Sequence, residues 1–272
     1  MSAEHEPSLR DDASAVVHAY GVVLGGEPVP LPVTGIAGAG VALLDAGSVA
    51  AVFSRLPGCS YGESAWREHA EDPRWLAEVA VQHQRVLDEI VEDSDVLPLR
   101  LPAMFRDEEH LHRVLAGRAA LLEAALVATH DHVEWGVQLL AAEQPAAPPQ
   151  EERPSSGREF FEQRARRSSA LARARSRRDA LVREAYAALA DVSRQSVLNN
   201  PQDPALSGRS ETMLLNSAHL VGRRHRDFFM TTVEEVAERL RPAGISVEVS
   251  GPWPPYNFVA LGTEELVGDD DG

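Results

Sequence analysis

The sequence predicts an α+β protein built as two small α+β domains joined through a linker and a long helix. Three observations point there. Short Val- and Leu-rich runs alternate with stretches whose apolar residues recur at helical spacing. A Pro-, Gln- and Glu-rich stretch, "AAEQPAAPPQEERPSSG" (141–157), interrupts the chain near its middle. A run of more than thirty residues without Gly or Pro follows at once. The predicted parts are an arm over 1–14, an N-terminal α+β domain over 15–141, a linker over 142–157, a C-terminal domain over 158–263 and an acidic tail over 264–272. The 272 residues are enough for one large or two small domains, and 44% hydrophobic residues are enough for a core. Aromatics make up only 6%, so Ala, Leu and Val carry the packing.

Residues 15–24, "AVVHAYGVVL", read as a strand. "GGEPVPLPVTGIAGAG" (25–40) is too dense in Gly and Pro to hold a regular element. The runs "VALLDAG" and "SVAAVFSRL" meet at "DAGS", a hairpin signal. Helical pattern runs from Glu63 to Glu92, with Asp72-Pro73 as a start signal inside it. Leu76, Val79, Ala80, Val86, Leu87 and Ile90 form its apolar face. "DVLPLRLP" (95–102) is extended, because each Pro moves its predecessor out of the helical region. Asp107 opens a second helix to about Thr129, with Leu111, Val114, Leu115, Leu121, Leu122, Ala125 and Leu126 as its expected buried stripe. "HVEWGVQLL" (132–140) reads as a strand closing the first domain.

The second domain begins with the long helix, on the order of 50 Å if continuous. Its apolar seam is Leu171, Ala174, Leu181, Ala185, Ala188 and Val192. Strand 211–222, a helix ending at Leu240 before Pro242 and Gly244, a strand from Ile245, a stiff break and a second short strand follow. The pattern fits a ferredoxin-like or similar open sheet.

Composition excludes several function classes. The formal net charge is −16, which repels nucleic acid and anionic lipid on average. Every basic residue is Arg, and the single cysteine, Cys59, rules out an intrachain disulfide. The start "MSAEHEPSLRDD" has no apolar core of a signal peptide, and no run is long enough to span a membrane. The expected compartment is the cytoplasm. No catalytic, cofactor or metal site is predicted. The Gly-rich loop lacks GxGxxG and a phosphate-loop Lys, and there is no GxSxG. His110/His112 and His130/His132 lack a third ligand in sequence. Glu108/Glu109 and Glu234/Glu235 sit in helical first turns, where they complement the dipole. The stretch from Arg153 to Arg183 holds ten arginines against three acids. It reads as a solvated face or as a docking stripe for an acidic partner or the chain's own acidic segments.

"SGPWPPYNFVAL" (250–261) stands apart. Pro252, Pro254 and Pro255 fix φ and remove three backbone donors, so Trp253 and Tyr256 are held at a set separation. The rings either cap the C-terminal core or form a rigid platform for a partner.

These blocks also resemble a known family. "GPWPPYNFV" is similar to the terminal signature of the gas vesicle GvpL/GvpF family. "DVLPLRLPAMFRDEEHLHRVL" (95–115), "HVEWGVQLL", "GREFFEQR" (157–164) and "AYGVV" resemble its other blocks, in order. Leu101-Pro102 departs from the Phe-Gly usual there. The resemblance implies a two-domain α+β accessory or minor structural protein of gas vesicle assembly, without enzymatic activity or cofactor. It implies binding to the hydrophobic shell protein and other gas vesicle proteins, with self-association open. Such a partner offers an apolar face or open strand edge in acidic surroundings. The interaction residues this suggests are Trp253, Pro254, Pro255, Tyr256 and Phe258, placed in the C-terminal domain, with Arg100 and Phe105 of the extended block as a second candidate. The competing reading is a small-molecule-binding regulatory module.

Overall fold

The structure, a computed structural model, describes residues 15–32, 34–141, 157–200 and 211–259. The arm 1–14, nearly all of the linker and the tail 264–272 lie outside the described residues. The fold is α+β with two antiparallel-type sheets, and the chain clusters into two compact units: Met1–Val133 with Pro252–Gly272, and Glu134–Gly251.

In the first unit β1 (Ala15–Leu24) lies between β3 (Val49–Pro57) and the short β4 (Leu97–Pro98), with β2 (Val41–Asp45) at the edge beyond β3. The two-residue β5 (Met104–Phe105) also pairs with β1. β2 and β3 form the hairpin that "DAGS" signals; the Asp45 carboxylate accepts from the Gly47 amide at 2.8 Å, and Gly47 takes φ 89°. After the short α1 (Gly58–Tyr61) and α2 (Glu63–His69) comes α3 (Pro73–Val91), capped by Asp72, which accepts from the Arg74 amide at 2.9 Å. Asp107 caps α4 (Glu108–Thr129) in the same way, accepting from the His110 amide at 2.7 Å.

Strand alternation sends the two faces of this sheet to different helices. Val17, Ala19, Val22, Val49, Ala51 and Phe53 share one core with Leu111, Leu115, Leu122 and Leu126 of α4. His18, Tyr20 and Ser54 point the other way, toward α3, whose His83 bonds His18. The β1–β3 register shifts between Ala19 and Gly21. At that irregularity a methyl on Gly21 would lie 2.7 Å from the Leu97 carbonyl oxygen, so only Gly admits the close approach of the β4 segment.

In the second unit the sheet order is β7-β8-β6-β9: Gln195–Asn199, Thr212–Gly222, His132–Ala141 and Ile245–Trp253. β7 and β8 pair antiparallel, with Val197 opposite Ala218. α5 (Gly157–Asp191), through its C-terminal part, and α6 (Arg226–Leu240) pack against β8, where Tyr186 and Phe229 both meet His219. Trp135 of β6 and His219 of β8 both contact Phe229 of α6, at 6.4 and 5.6 Å between ring centroids.

Three sequence expectations change. The strand expected over 132–140 in the first domain is β6 (His132–Ala141), an interior strand of the second sheet. Being buried on alternate and adjacent positions alike, it suits an interior place, which its sequence shows but which does not say in which sheet. The Pro-Pro block, expected in the C-terminal domain, clusters with the first unit, and Val259 packs against that unit's core. Where the second short strand was expected after it, Tyr256–Phe258 form a turn, closed by the Phe258 amide on the Pro255 carbonyl at 3.1 Å, and the residues from 260 on lie outside the described residues. β7 (Gln195–Asn199) adds a strand between the long helix and strand 212–222 that the sequence pattern does not signal.

Candidate protein-interaction site

The two candidate blocks, 156 residues apart in sequence, meet in the first unit. The Arg100 guanidinium donates to the Tyr256 carbonyl at 3.3 Å. The Tyr256 hydroxyl donates to Gln84 Oε1 on α3 at 2.9 Å. Pro254 and Pro255 are buried, while Trp253, Tyr256 and Phe258 are half-buried. The stiff segment therefore fastens the end of the chain to α3 and to the extended block. The Tyr256 ring is engaged there through its hydroxyl, and Trp253 and Phe258 are half-buried beside it in sequence.

Arg100 is exposed, and the extended block continues through a cis Leu101–Pro102 peptide into β5. Phe105 is 2% exposed and belongs to the core. Its remaining surface, with Val16, Tyr61, Trp66, Pro102 and Met104, walls a groove of about 450 Å³. Glu63, Arg67 and Arg106 complete its lining, with Arg67 paired to Glu63 and Arg106 to Asp107. The aromatic wall is itself packed: Trp66 meets Trp75 edge-on with centroids 5.0 Å apart, and Tyr61 lies 5.9 Å from Trp75. Burial raises the Tyr61 phenol above its ordinary pKa, with Glu78 adding to it. None of these α1 and α2 residues was singled out from sequence. Their signal was an aromatic concentration, Tyr61, Trp66 and Trp75, in a chain poor in aromatics.

Two buried polar networks also escaped sequence reading. His83 Nε2 lies 3.0 Å from the Leu99 carbonyl, which only accepts, so this nitrogen carries the proton. With His83 neutral, its Nδ1 accepts from His18 Nε2 at 2.9 Å. His18 Nδ1 then presents a lone pair to Met104 Sδ at 3.1 Å. Burial holds His18 well below its usual pKa, and the neighbouring His83 adds to this; burial brings His83 down to about 4. Beside them Tyr20 donates to Ser54 at 2.9 Å and accepts from the Ile36 amide at 2.9 Å, while burial raises its pKa.

In the second unit Ser217 donates to the Val137 carbonyl at 3.1 Å, so its oxygen accepts from His219 Nε2 at 3.0 Å. Ser193 donates to the Leu189 carbonyl at 2.7 Å, which leaves Ser196 as the donor to His219 Nδ1 at 3.0 Å. Burial lowers His219 to about 4. Both chains of donors end on backbone carbonyls and give each neutral imidazole's N–H an acceptor inside the units.

The histidine pairs noted in sequence stay apart. His112 is exposed, whereas His110 turns toward Phe105 with centroids 5.7 Å apart. His130 bonds Asp95 at 2.7 Å, and His132 Nδ1 donates to the His130 carbonyl at 2.6 Å. Among the described residues no three His, Cys, Asp or Glu side chains gather as metal ligands, and no helix is long and apolar enough to cross a membrane.

Comparison with known proteins fits this architecture. Residues 16–260 match the family described as gas vesicle synthesis protein GvpL/GvpF. The chain belongs to the GvpL/GvpF family. It is 33% identical over 238 residues to gas vesicle protein L of Streptomyces sp. (strain CB03234), covering 85% of this chain and 88% of that one. It is 24% identical to gas vesicle protein F1 of Halobacterium salinarum, covering 93% and 97%. The fold is similar to the crystal structure of GvpF from Anabaena sp. PCC7120, with a TM-score of 0.67 at 15% identity over 91% of this chain and 97% of that one. GvpF from Microcystis aeruginosa gives a TM-score of 0.63 at 15% identity, covering 90% and 99%. As a family member the chain has a part in gas vesicle formation.

Proposed function

We propose that this GvpL/GvpF chain acts in gas vesicle assembly by binding the hydrophobic shell protein, with an apolar segment of that protein seated in the groove of the first unit. One observation carries the reading: the apolar groove of about 450 Å³ walled by Tyr61, Trp66, Pro102, Met104 and Phe105. A very hydrophobic subunit aggregates unless its apolar surface is covered before incorporation. Each Å² so covered contributes about 25 cal/mol, and Trp and Tyr walls supply rigid contact area. The charged residues at the rim keep the complex in water.

The predicted interaction residues divide by role in this reading. Phe105 lines the groove. Arg100 and Tyr256 brace the extended segment whose Pro102 forms one wall, and Trp253, Pro254, Pro255 and Phe258 hold that brace in place. Binding to other gas vesicle proteins and association with the vesicle belong to the same proposal.

Co-purification of tagged chain with the shell protein tests it. Trp66→Ala and Arg100→Ala variants that keep the native melting profile are expected to lose most capture and to yield fewer vesicles in a deletion strain. Full capture by both folded variants removes the groove from the interface.

A further inference from the structure

The second unit carries a charge pattern that the groove does not use. Along α5 and the residue just past its end, the positions 171, 174, 178, 181, 185, 188 and 192 follow the alternating three-four spacing of a buried helix seam. Six are apolar: Leu171, Ala174, Leu181, Ala185, Ala188 and Val192. The seventh is Arg178. The C-terminal half of the seam is covered, with Ala185 4% exposed and set beside Val236 and Leu240 of α6. The N-terminal half is not: every residue from Arg164 to Arg177 is exposed, and Leu171 is 72% exposed.

Arg178 sits where cover gives way to solvent. It lines a cleft of about 690 Å³ with Leu171, Ala174, Arg175, Arg177 and Leu181. Its Nε is shielded from solvent and has no hydrogen-bond partner among the described residues. A shielded guanidinium N–H without an acceptor is destabilising, and an arginine in an apolar seam position is doubly so. A carboxylate entering the cleft would remove that penalty through a charge-assisted, fork-shaped contact.

We propose that this cleft docks an acidic amphipathic helix of a partner protein. A carboxylate of the partner pairs with Arg178, and its apolar side chains rest on Leu171, Ala174 and Leu181. Charge complementarity selects this occupant. From Arg158 to Arg183 the helix holds nine arginines against three acids, on a chain whose formal net charge is −16. A second copy of α5 would set like charge against like charge. A small anion would leave Leu171 and the apolar wall in water. A nucleic acid finds no aromatic side chain along residues 164–181 on which to stack bases.

The test is fluorescence anisotropy of the full chain with a labelled synthetic Glu/Leu amphipathic helix of about 20 residues. A matched Lys/Leu helix and a single-stranded oligonucleotide serve as comparisons. The Glu/Leu helix is expected to bind, more weakly as salt rises, and the other two not. Arg178→Met is expected to weaken binding about tenfold or more while leaving the melting temperature unchanged or higher, since it removes an unpaired shielded donor. Arg175→Gln/Arg177→Gln, at exposed positions, is expected to weaken binding as well, and keeps the test decisive if Arg178→Met does not fold. Equal binding by folded Arg178→Met, or by Arg175→Gln/Arg177→Gln should Arg178→Met not fold, overturns the proposal. So does equal binding of the Lys/Leu helix, or tighter binding of the oligonucleotide. If replacing Glu143, Glu151 and Glu152 by Gln strengthens binding about tenfold, the chain's own acidic segment occupies the cleft and the partner reading falls.

Discussion

Arg100 donates to the backbone carbonyl of Tyr256 at 3.3 Å, joining the extended block to the chain's far end. The Tyr256 side chain extends the link by donating to Gln84 on α3 at 2.9 Å. The contact makes the Pro-Pro segment a clamp. Prolines that already hold φ near −65° lose little entropy when the segment docks, so a short segment suffices to close the first unit.

Tyr256→Phe keeps the ring and removes only the hydroxyl. The expected loss is about 0.5–1.5 kcal/mol, read as a lower urea midpoint at unchanged slope. An unchanged midpoint would show that the Gln84 bond contributes nothing to the clamp. Tyr256→Ala removes the ring as well and is expected to be clearly worse.

Gly21 marks the place where β4 approaches β1 too closely for a side chain. The Cβ of an alanine there would lie 2.7 Å from both the Leu97 carbonyl oxygen and a Val96 methyl. The carbonyl belongs to backbone and does not rotate away. Gly21→Ala is expected to destabilise by about 1–3 kcal/mol and to alter the near-ultraviolet circular dichroism of Tyr20. A variant as stable as the parent would mean that the segment shifts freely.

Stability is expected to fall with acid through three histidines. His83 and His219 are lowered to about 4 by burial, and His18 is lowered well below its ordinary value. Unfolded, each binds a proton near pH 6.5; folded, each stays neutral until much lower pH. The unfolded state therefore binds more protons between about pH 6.5 and 4, and stability rises with pH across that window. Each histidine contributes a slope approaching about 1.4 kcal/mol per pH unit within it. Denaturant titrations from pH 7.5 to 4.5 measure the slope. His83→Gln, which keeps a donor for Leu99 and an acceptor for His18, is expected to make it shallower.

How far sequence reached is clear from particular residues. Asp72, Asp107 and "DAGS" acted locally, through caps and a turn, and the structure places elements where they signal. The α+β class was legible from local pattern too. What failed was long-range. Nothing in "HVEWGVQLL" states which sheet receives it, because a buried strand has the same pattern in either. Nothing in "PWPPY" names Arg100 as its donor or Gln84 as its acceptor. The His18–His83 pair was invisible because its members are 65 residues apart, and His83 lies between Gln82 and Gln84, as an exposed helix position would. The groove was missed because Tyr61 and Trp66 lie on helices too short to show a periodic face.

Phe105 and Trp66 separate fold from binding in the first unit. Phe105 is 2% exposed and packs with Leu111 and Leu115, so Phe105→Ala opens a core cavity. Its expected loss is about 3–5 kcal/mol, enough to unfold a marginal unit and make any loss of capture uninformative. Trp66 is half-buried on the other wall and touches Trp75 rather than the core. Trp66→Ala is expected to lose about 0.5–1.5 kcal/mol from the broken ring pair while capture of the shell protein falls much further. Measuring both variants by denaturant melt and by co-purification decides the matter. If capture by Trp66→Ala declines only in step with its stability, the groove wall supports the fold and the partner sits elsewhere.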